Sequence, residues 1–536
     1  MLRHWKTALA VAAIVAGTLA APAAVQARTP DDQLVVAFSM TNLLNIDPSA
    51  SGSKEKSWVM TNVYEQLVGL DPIDRSVIHP VLAESWEVSE DGSRITFTMR
   101  EGLVFASGNP LTAHDVEWSL HRVMQLNLSS AAGLRVRGFN ESNYETSFVA
   151  EDERTFVINL PGPDDPNIII MMLGTSGAGS VIDSQLVLEN EVNGDLGEAY
   201  LANNSAGSGP YVISQVRTNE LILLDRNENY WGEPPAMRRV VMRHLPESQS
   251  QRLQLERGDI DIAYSLAAPD LVALAEHPDI VVETGGGGGF YYLAASQKDE
   301  ILSDRNVRLA LRYLIDYEGI NEAVMPYYGV SHQRPVHRGL LGDLPSPGYT
   351  LDVERAKEYL AAAGYPDGFP VTIRTLSDAP FINIATAIQA TLAEGGIEAE
   401  ILAGSGDQTY GAMRERSFQL LVGRSGGAIP HPDTDMRSLA YNPDNSDEAR
   451  LVGMQGWRAS FFDAELNDMI DAAVLETDPD AQREMYEAIQ LRYEELVPAI
   501  QPISQVADSV AFRSDIKGLI MHPSWETDLS LVYKER

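Results

Sequence analysis

The sequence predicts an α/β protein built from more than one domain. Apolar residues recur at helical spacing in several long stretches, and short apolar or alternating runs lie between them. At 536 residues the chain is too long for a single core, so two to four domains are expected. Hydrophobic residues make up 44% and charged residues 22%, the ordinary balance of a globular fold.

The elements follow in chain order. Gln33–Phe38 reads as a strand, and residues 56–70 as a helix with Trp58, Val59, Val63, Tyr64 and Leu67 at helical spacing. Residues 86–88 and 95–99 form a hairpin around the turn Glu90-Asp91-Gly92-Ser93. Thr112 caps a helix that carries Asp115 in its first turn. After about residue 290, strands and helices alternate. A helix over 307–315 sets an apolar face against Arg305, Arg308 and Arg312. A second, over 354–363, ends at Gly364. A strand over 371–375, a helix over 383–394 and a strand over 397–402 come next. Helices over 465–473 and 480–496 follow, the latter started by Asp478-Pro479.

The most informative stretch is 418–435. Residues 418–422 read as a buried strand that Gly423, Gly426 and Gly427 break, and Pro430 and Pro432 keep a helix from following soon. A strand end opening into a Gly/Pro loop brings backbone polar groups out of a rigid sheet, which is where α/β proteins place ligands. This loop is therefore expected to form one wall of a ligand cleft, with Arg424 and Ser425 as donors.

The N-terminus predicts export. Arg3 and Lys6 make a positive start, residues 8–21 are apolar but too short to span a bilayer, and Val25-Gln26-Ala27 resembles a leader-peptidase site. The mature chain is expected to begin near Arg28. There is no cysteine, which excludes disulfides, thiol catalysis, Cys-bound metal and a lipid-modified N-terminal Cys. The formal net charge of −36 repels nucleic acid and anionic lipid. Together these features predict a soluble monomer diffusing in a Gram-negative periplasm, with neither nucleic-acid binding nor membrane insertion.

Several blocks in the right order resemble one family. LAESWEVSEDG at 82–92 and ITFTMREGLVFASGNPLTAHDVEWSLHRV at 95–123 come first, then GSGPY at 207–211 with DRNENYWG at 225–232. DRNVRLAL at 304–311 and AKEYL at 356–360 with GYP at 364–366 continue the match. The chain is identified, from about Gln33 onward, as a member of the family 5 extracytoplasmic solute-binding proteins of peptide-, opine- and nickel-type ABC importers. The resemblance implies a type II periplasmic-binding-protein fold in its large three-domain form, whose two lobes close about hinge strands. The expected division is 1–27 leader; 28–70, 204–288 and 508–536 domain I; 71–203 domain II; and 289–507 domain III. Crossings between lobes are expected near 290–293 and 500–503. The run Gly285 to Gly289 lies just before the first of them, either as a bending segment or as a plain flexible loop. The implied partners are a small-molecule ligand and an ABC permease with its cytoplasmic ATPase. No cofactor, no metal and no catalysis are expected.

The candidate ligand-binding residues are Arg424, Ser425, Gly427, His431, Tyr64, Phe290, Tyr292 and Trp457. The four aromatics would serve either as cleft walls or as core. Arg135 and Arg137 lie in a second-domain loop that either faces the cleft or is solvated. In the peptide-binding relatives, the matching strand end carries an Asp that pairs with the peptide ammonium, a contact contributing about 1.5–3 kcal/mol. The resemblance puts that position at Gly427, with Asp433 and Asp435 as possible substitutes. Arg424 offers instead a fork for carboxylate or phosphate, so an anionic or modified solute is expected rather than an ordinary peptide. Two other classes remain. Gly423-Arg-Ser425-Gly-Gly427 has the spacing of a nucleophile elbow, with His431, His522 and Asp433 as conceivable partners in a periplasmic serine hydrolase. A chemoreceptor-coupled sensor would share the binding fold.

Overall fold

A computed structural model describes residues 28–536 except 42, 44, 51–53, 74–76, 129, 176, 378–379, 426–428 and 525–526. The leader reading and Gly427 therefore lie outside the described residues.

Two long strands organise the chain. Ile280–Ala295 and Ile500–Arg513 pair antiparallel from Ile280↔Arg513 to Ala294↔Ile500. They form the middle of one mixed sheet. On one side lie Ile262–Tyr264, Gln33–Phe38, Arg239–His244, Leu221–Arg226 and Tyr211–Arg217. On the other lie Leu420–Arg424, Pro370–Leu376 and Glu398–Gly404. The sheet thus runs through both halves, and the two central strands carry it across.

Each half has its own cores. Leu34, Phe38, Trp58 and Val59 pack with Ile182, Tyr211 and Leu224, and with Val510, Phe512 and Leu529 from near the C-terminus. A separate core gathers residues between Leu67 and Val181 around the four-stranded sheet that contains the Ala83–Val88/Arg94–Met99 hairpin. The other half packs helices Arg305–Tyr313, Val353–Ala362 and Phe381–Glu394 on one sheet face, and Pro432–Leu439 and Pro479–Glu495 on the opposite face. The α/β class stands, and most elements fall within a few residues of their sequence positions.

Three local readings are corrected. The first helix covers only Lys54–Met60, and the chain returns as strand at Val68–Leu70. Asn62 interrupts it: its amide donates to Trp58 O and Thr527 O and accepts from Leu529 N, while Val63 O accepts from Gly209 N. In a continuing helix the Val63 carbonyl would accept from the N–H four residues on; here it is turned to Gly209 instead. The second correction concerns the prolines. A helix, Pro432–Leu439, starts immediately, because Pro432 sits in the first turn, where its missing N–H costs nothing. Third, the glycine run is not a plain loop. Gly285 and Gly286 pair with Asp508 and Ala507 inside the long strand, and the register slips between Gly286 and Phe290.

Candidate ligand-binding cleft

Between the two halves lies a cavity of about 820 Å³, within the range of small-molecule sites. Its floor is the central strand pair, contributing Tyr291, Asp508 and Ser509. The first half supplies an aromatic wall, where Trp58 stacks on Tyr264 at 4.3 Å between ring centroids. The second half answers with Tyr291 edge-on to Phe381 at 5.6 Å, and with Tyr328. Tyr328 Oη also donates across the mouth to Leu266 O, so the halves touch there. Burial pushes the Tyr291 hydroxyl up to about 12, keeping it a neutral hydrogen-bonding group.

The charged groups in this wall come from different elements. Lys54 and Glu247 belong to the first half, Arg424 to the second, and Asp508 to the floor. Lys54 Nζ lies 3.9 Å from Asp508 Oδ1. Arg424 sits at the end of strand Leu420–Arg424, directly opposite Tyr291 in the sheet, with Nη2 3.4 Å from Gly288 O. Aromatic faces with charges of both signs suit a small polar solute that is an anion or a zwitterion. Ser265 and Tyr327 keep left-handed backbone beside the opposite rims, with φ of 62° and 71°, a costly conformation held where the walls meet. Among the described residues, no group of three or more His, Cys, Asp or Glu is arranged to hold a metal.

Apart from His522, which lines the cavity, the other sequence-chosen residues among those described lie elsewhere. Tyr64 is fully buried, and its Oη accepts from Ala206 N. Phe290 and Tyr292 point into the core of the second half, Phe290 against the His337 ring and Tyr292 toward Met413 Sδ. Trp457 is buried under the Arg416 guanidinium, with Nε1 donating to Ser446 O. Ser425 closes the sheet: its N donates to Phe290 O, and its Oγ accepts from Phe290 N. Its conceivable triad partners are occupied elsewhere. His431 faces Asp165, Asp433 is held by Arg137 and Arg437, and His522 lies against Leu70 O and Ser524 N. Asp435 accepts from both N and Nδ1 of His337.

Arg135 pairs at the surface with Glu141. Arg137, by contrast, reaches 296 residues along the chain to Asp433 at 2.7 Å. Sequence reasoning missed Lys54, Trp58, Tyr264, Phe381 and Asp508. Trp58 was visible as a helix-face aromatic, but no local signal aimed it at the cleft.

The comparisons agree with this architecture. The family model described as bacterial extracellular solute-binding proteins, family 5, matches residues 77–447. The probable D,D-dipeptide-binding periplasmic protein DdpA of Escherichia coli K12 is 26% identical over 516 residues, 93% of either chain. Heme-binding protein A of Haemophilus influenzae is 26% identical, covering 83% of this chain and 82% of its own. The DppA periplasmic binding protein of Helicobacter pylori, solved with the peptide STSA, superposes with a TM-score of 0.76 at 25% identity, covering 94% of this chain and 98% of its own. The chain thus belongs to the family 5 bacterial extracellular solute-binding proteins, and it works as the substrate-binding component of an ABC transporter rather than as an enzyme.

Proposed function

We propose that this protein captures a small carboxylate-bearing solute, an opine-like conjugate or a modified peptide, and delivers it to its permease as a monomer from the periplasm. The leader 1–27 is removed on export. Domain I comprises 28–70, 204–288 and 508–536, domain II 71–203, and domain III 289–507. The observation that carries the ligand class is Arg424 in the cleft wall, a planar fork matched to a carboxylate. Lys54 adds a second cation on the facing half. Gly427, where the peptide-binding relatives would carry an Asp, has no side chain to receive a free ammonium. Asp433 and Asp435 are already engaged by Arg137, Arg437 and His337, which removes them as substitutes in this conformation. The DdpA and Helicobacter relatives support a peptide-sized ligand; Arg424 and Gly427 narrow it.

Native mass spectrometry of protein purified from its own host is expected to reveal a co-purifying anionic solute. Calorimetry against unmodified dipeptides and against opine-like conjugates then tests the class. The conjugates should bind more tightly, and Gly427→Asp should improve dipeptide binding. Micromolar binding of unmodified dipeptides that Gly427→Asp leaves unimproved overturns the proposal.

A further inference from the structure

The charged chain that joins the two halves away from the cleft suggests a second use for the loop after Arg424. Arg137 follows helix Ala131–Val136 in the first half; Asp433 opens helix Pro432–Leu439 in the second. Their side chains meet at 2.7 Å, Arg137 almost wholly buried and Asp433 fully so. The pair continues on both sides. Asp164 lies 3.0 Å from Arg137, and Arg437 3.0 Å from Asp433, with Asp471 2.9 Å beyond Arg437. The signs alternate along the row: Asp164, Arg137, Asp433, Arg437, Asp471. Opening the halves breaks it at one link, between Arg137 and Asp433.

A second contact runs beside the first. Asp165 caps helix Pro166–Leu173 by accepting from Asn167 N, and His431 caps helix Pro432–Leu439 by accepting from Asp433 N at Nδ1. That leaves the His431 Nε2 proton to face Asp165 Oδ2 at 3.3 Å. Gln482 also reaches Asp165 at 3.3 Å, and Val474 and Ile429 of the second half pack on the core between Leu67 and Val181. Only six residues separate Arg424 in the cleft wall from His431.

We propose that Arg137 and Asp165 are positioning residues for closure: they grip the His431–Asp433 turn, so the closed state depends on side chains that never touch the ligand. The proposal rests on the lobe-closure reading of the fold and adds the residues that bias it. A buried ion pair on its own can be close to neutral for stability, because desolvation cancels much of the attraction. Removing one member is different. The truncated state leaves Asp433 with a single cation when closed but rehydrated when open, so the penalty falls on the closed state alone.

The test needs no ligand, so its failure leaves the binding assignment untouched. The chain has no cysteine, so Leu253→Cys and Thr386→Cys, both on solvent-exposed helix faces of opposite halves, carry the only spin labels. Electron–electron distance distributions are recorded on the full mature chain. Arg137→Ala should shift the open-to-closed ratio roughly tenfold or more toward longer distances, Arg137→Lys by less, and Asp165→Asn in the same direction. Should Arg137→Ala fail to fold, Arg137→Lys and Asp165→Asn decide. Distance distributions matching the parent in every folded variant overturn the proposal, as does a shift toward shorter distances.

Discussion

Glu65 is a carboxylate held almost wholly out of water with neutral donors around it: Ser208 Oγ at 2.7 Å and Trp231 Nε1 at 2.9 Å. Burial pushes it up to about 7, and those two hydrogen bonds only partly oppose the rise. The folded chain therefore holds this proton at pH values where the unfolded chain has released it. The stabilisation is complete below about pH 4.5 and is lost as pH rises through about 7. Chemical denaturation of Glu65→Gln should lose this slope between pH 4.5 and 7 and gain on the order of a few kcal/mol over the parent at pH 8. An unchanged slope would place the proton elsewhere. Nothing in the sequence marks Glu65, because its neighbours arrive from 143 and 166 residues away. The aromatics show a subtler limit. Phe290, Tyr291 and Tyr292 are consecutive in one strand, and side chains alternate between faces. The composition of the strand was legible, but which parity faced the cleft was not. Tyr291 lines it, while Phe290 and Tyr292 fill the core behind.

Among the elements, the glycine-bearing strand separates two uses of glycine. Gly289 has φ of 101°, a backbone that side-chain-bearing residues rarely adopt, and its N–H donates to His337 Nε2. Gly286 has no such φ, and a methyl group there would meet nothing nearer than Gln505 Nε2 at 3.6 Å. Gly289→Ala is therefore expected to destabilise by about 1–3 kcal/mol. Gly286→Ala should be neutral or raise stability by up to about 1 kcal/mol, by narrowing the unfolded ensemble. Thermal unfolding of the two variants side by side checks the contrast, and equal losses would refute it. The sequence announced an unusual backbone at 285–289 but not its place, since five glycines carry no pattern that distinguishes a loop from a bulged strand. The Pro432 helix start was misread for a related reason. Proline excludes the helix interior but favours its first turn, and only the preceding cap, here His431, tells the two apart.

At the scale of the molecule, the family and its two-lobe architecture were legible because several ordered blocks, each tied to a turn, cap or hairpin, span most of the chain. The ligand was not, because the cleft draws Trp58, Tyr264, Arg424 and Asp508 from separate elements. The overall charge offers a way to test the ligand's sign before its identity is known. A net charge of −36 surrounds a cleft that holds the cations Lys54 and Arg424. An anionic solute must cross the repulsive outer field before reaching those cations, and salt screens that field over about 10 Å at 0.1 M. Its association rate should therefore rise several-fold between about 10 and 150 mM salt. The dissociation rate should change little, since the enclosed contacts are poorly screened. Trp58 in the wall supplies a fluorescence signal for stopped-flow mixing. A rate that falls with salt would identify a cationic ligand drawn in by the surface, and with it Asp508 and Glu247, rather than Arg424, as the groups that select what the cleft takes up.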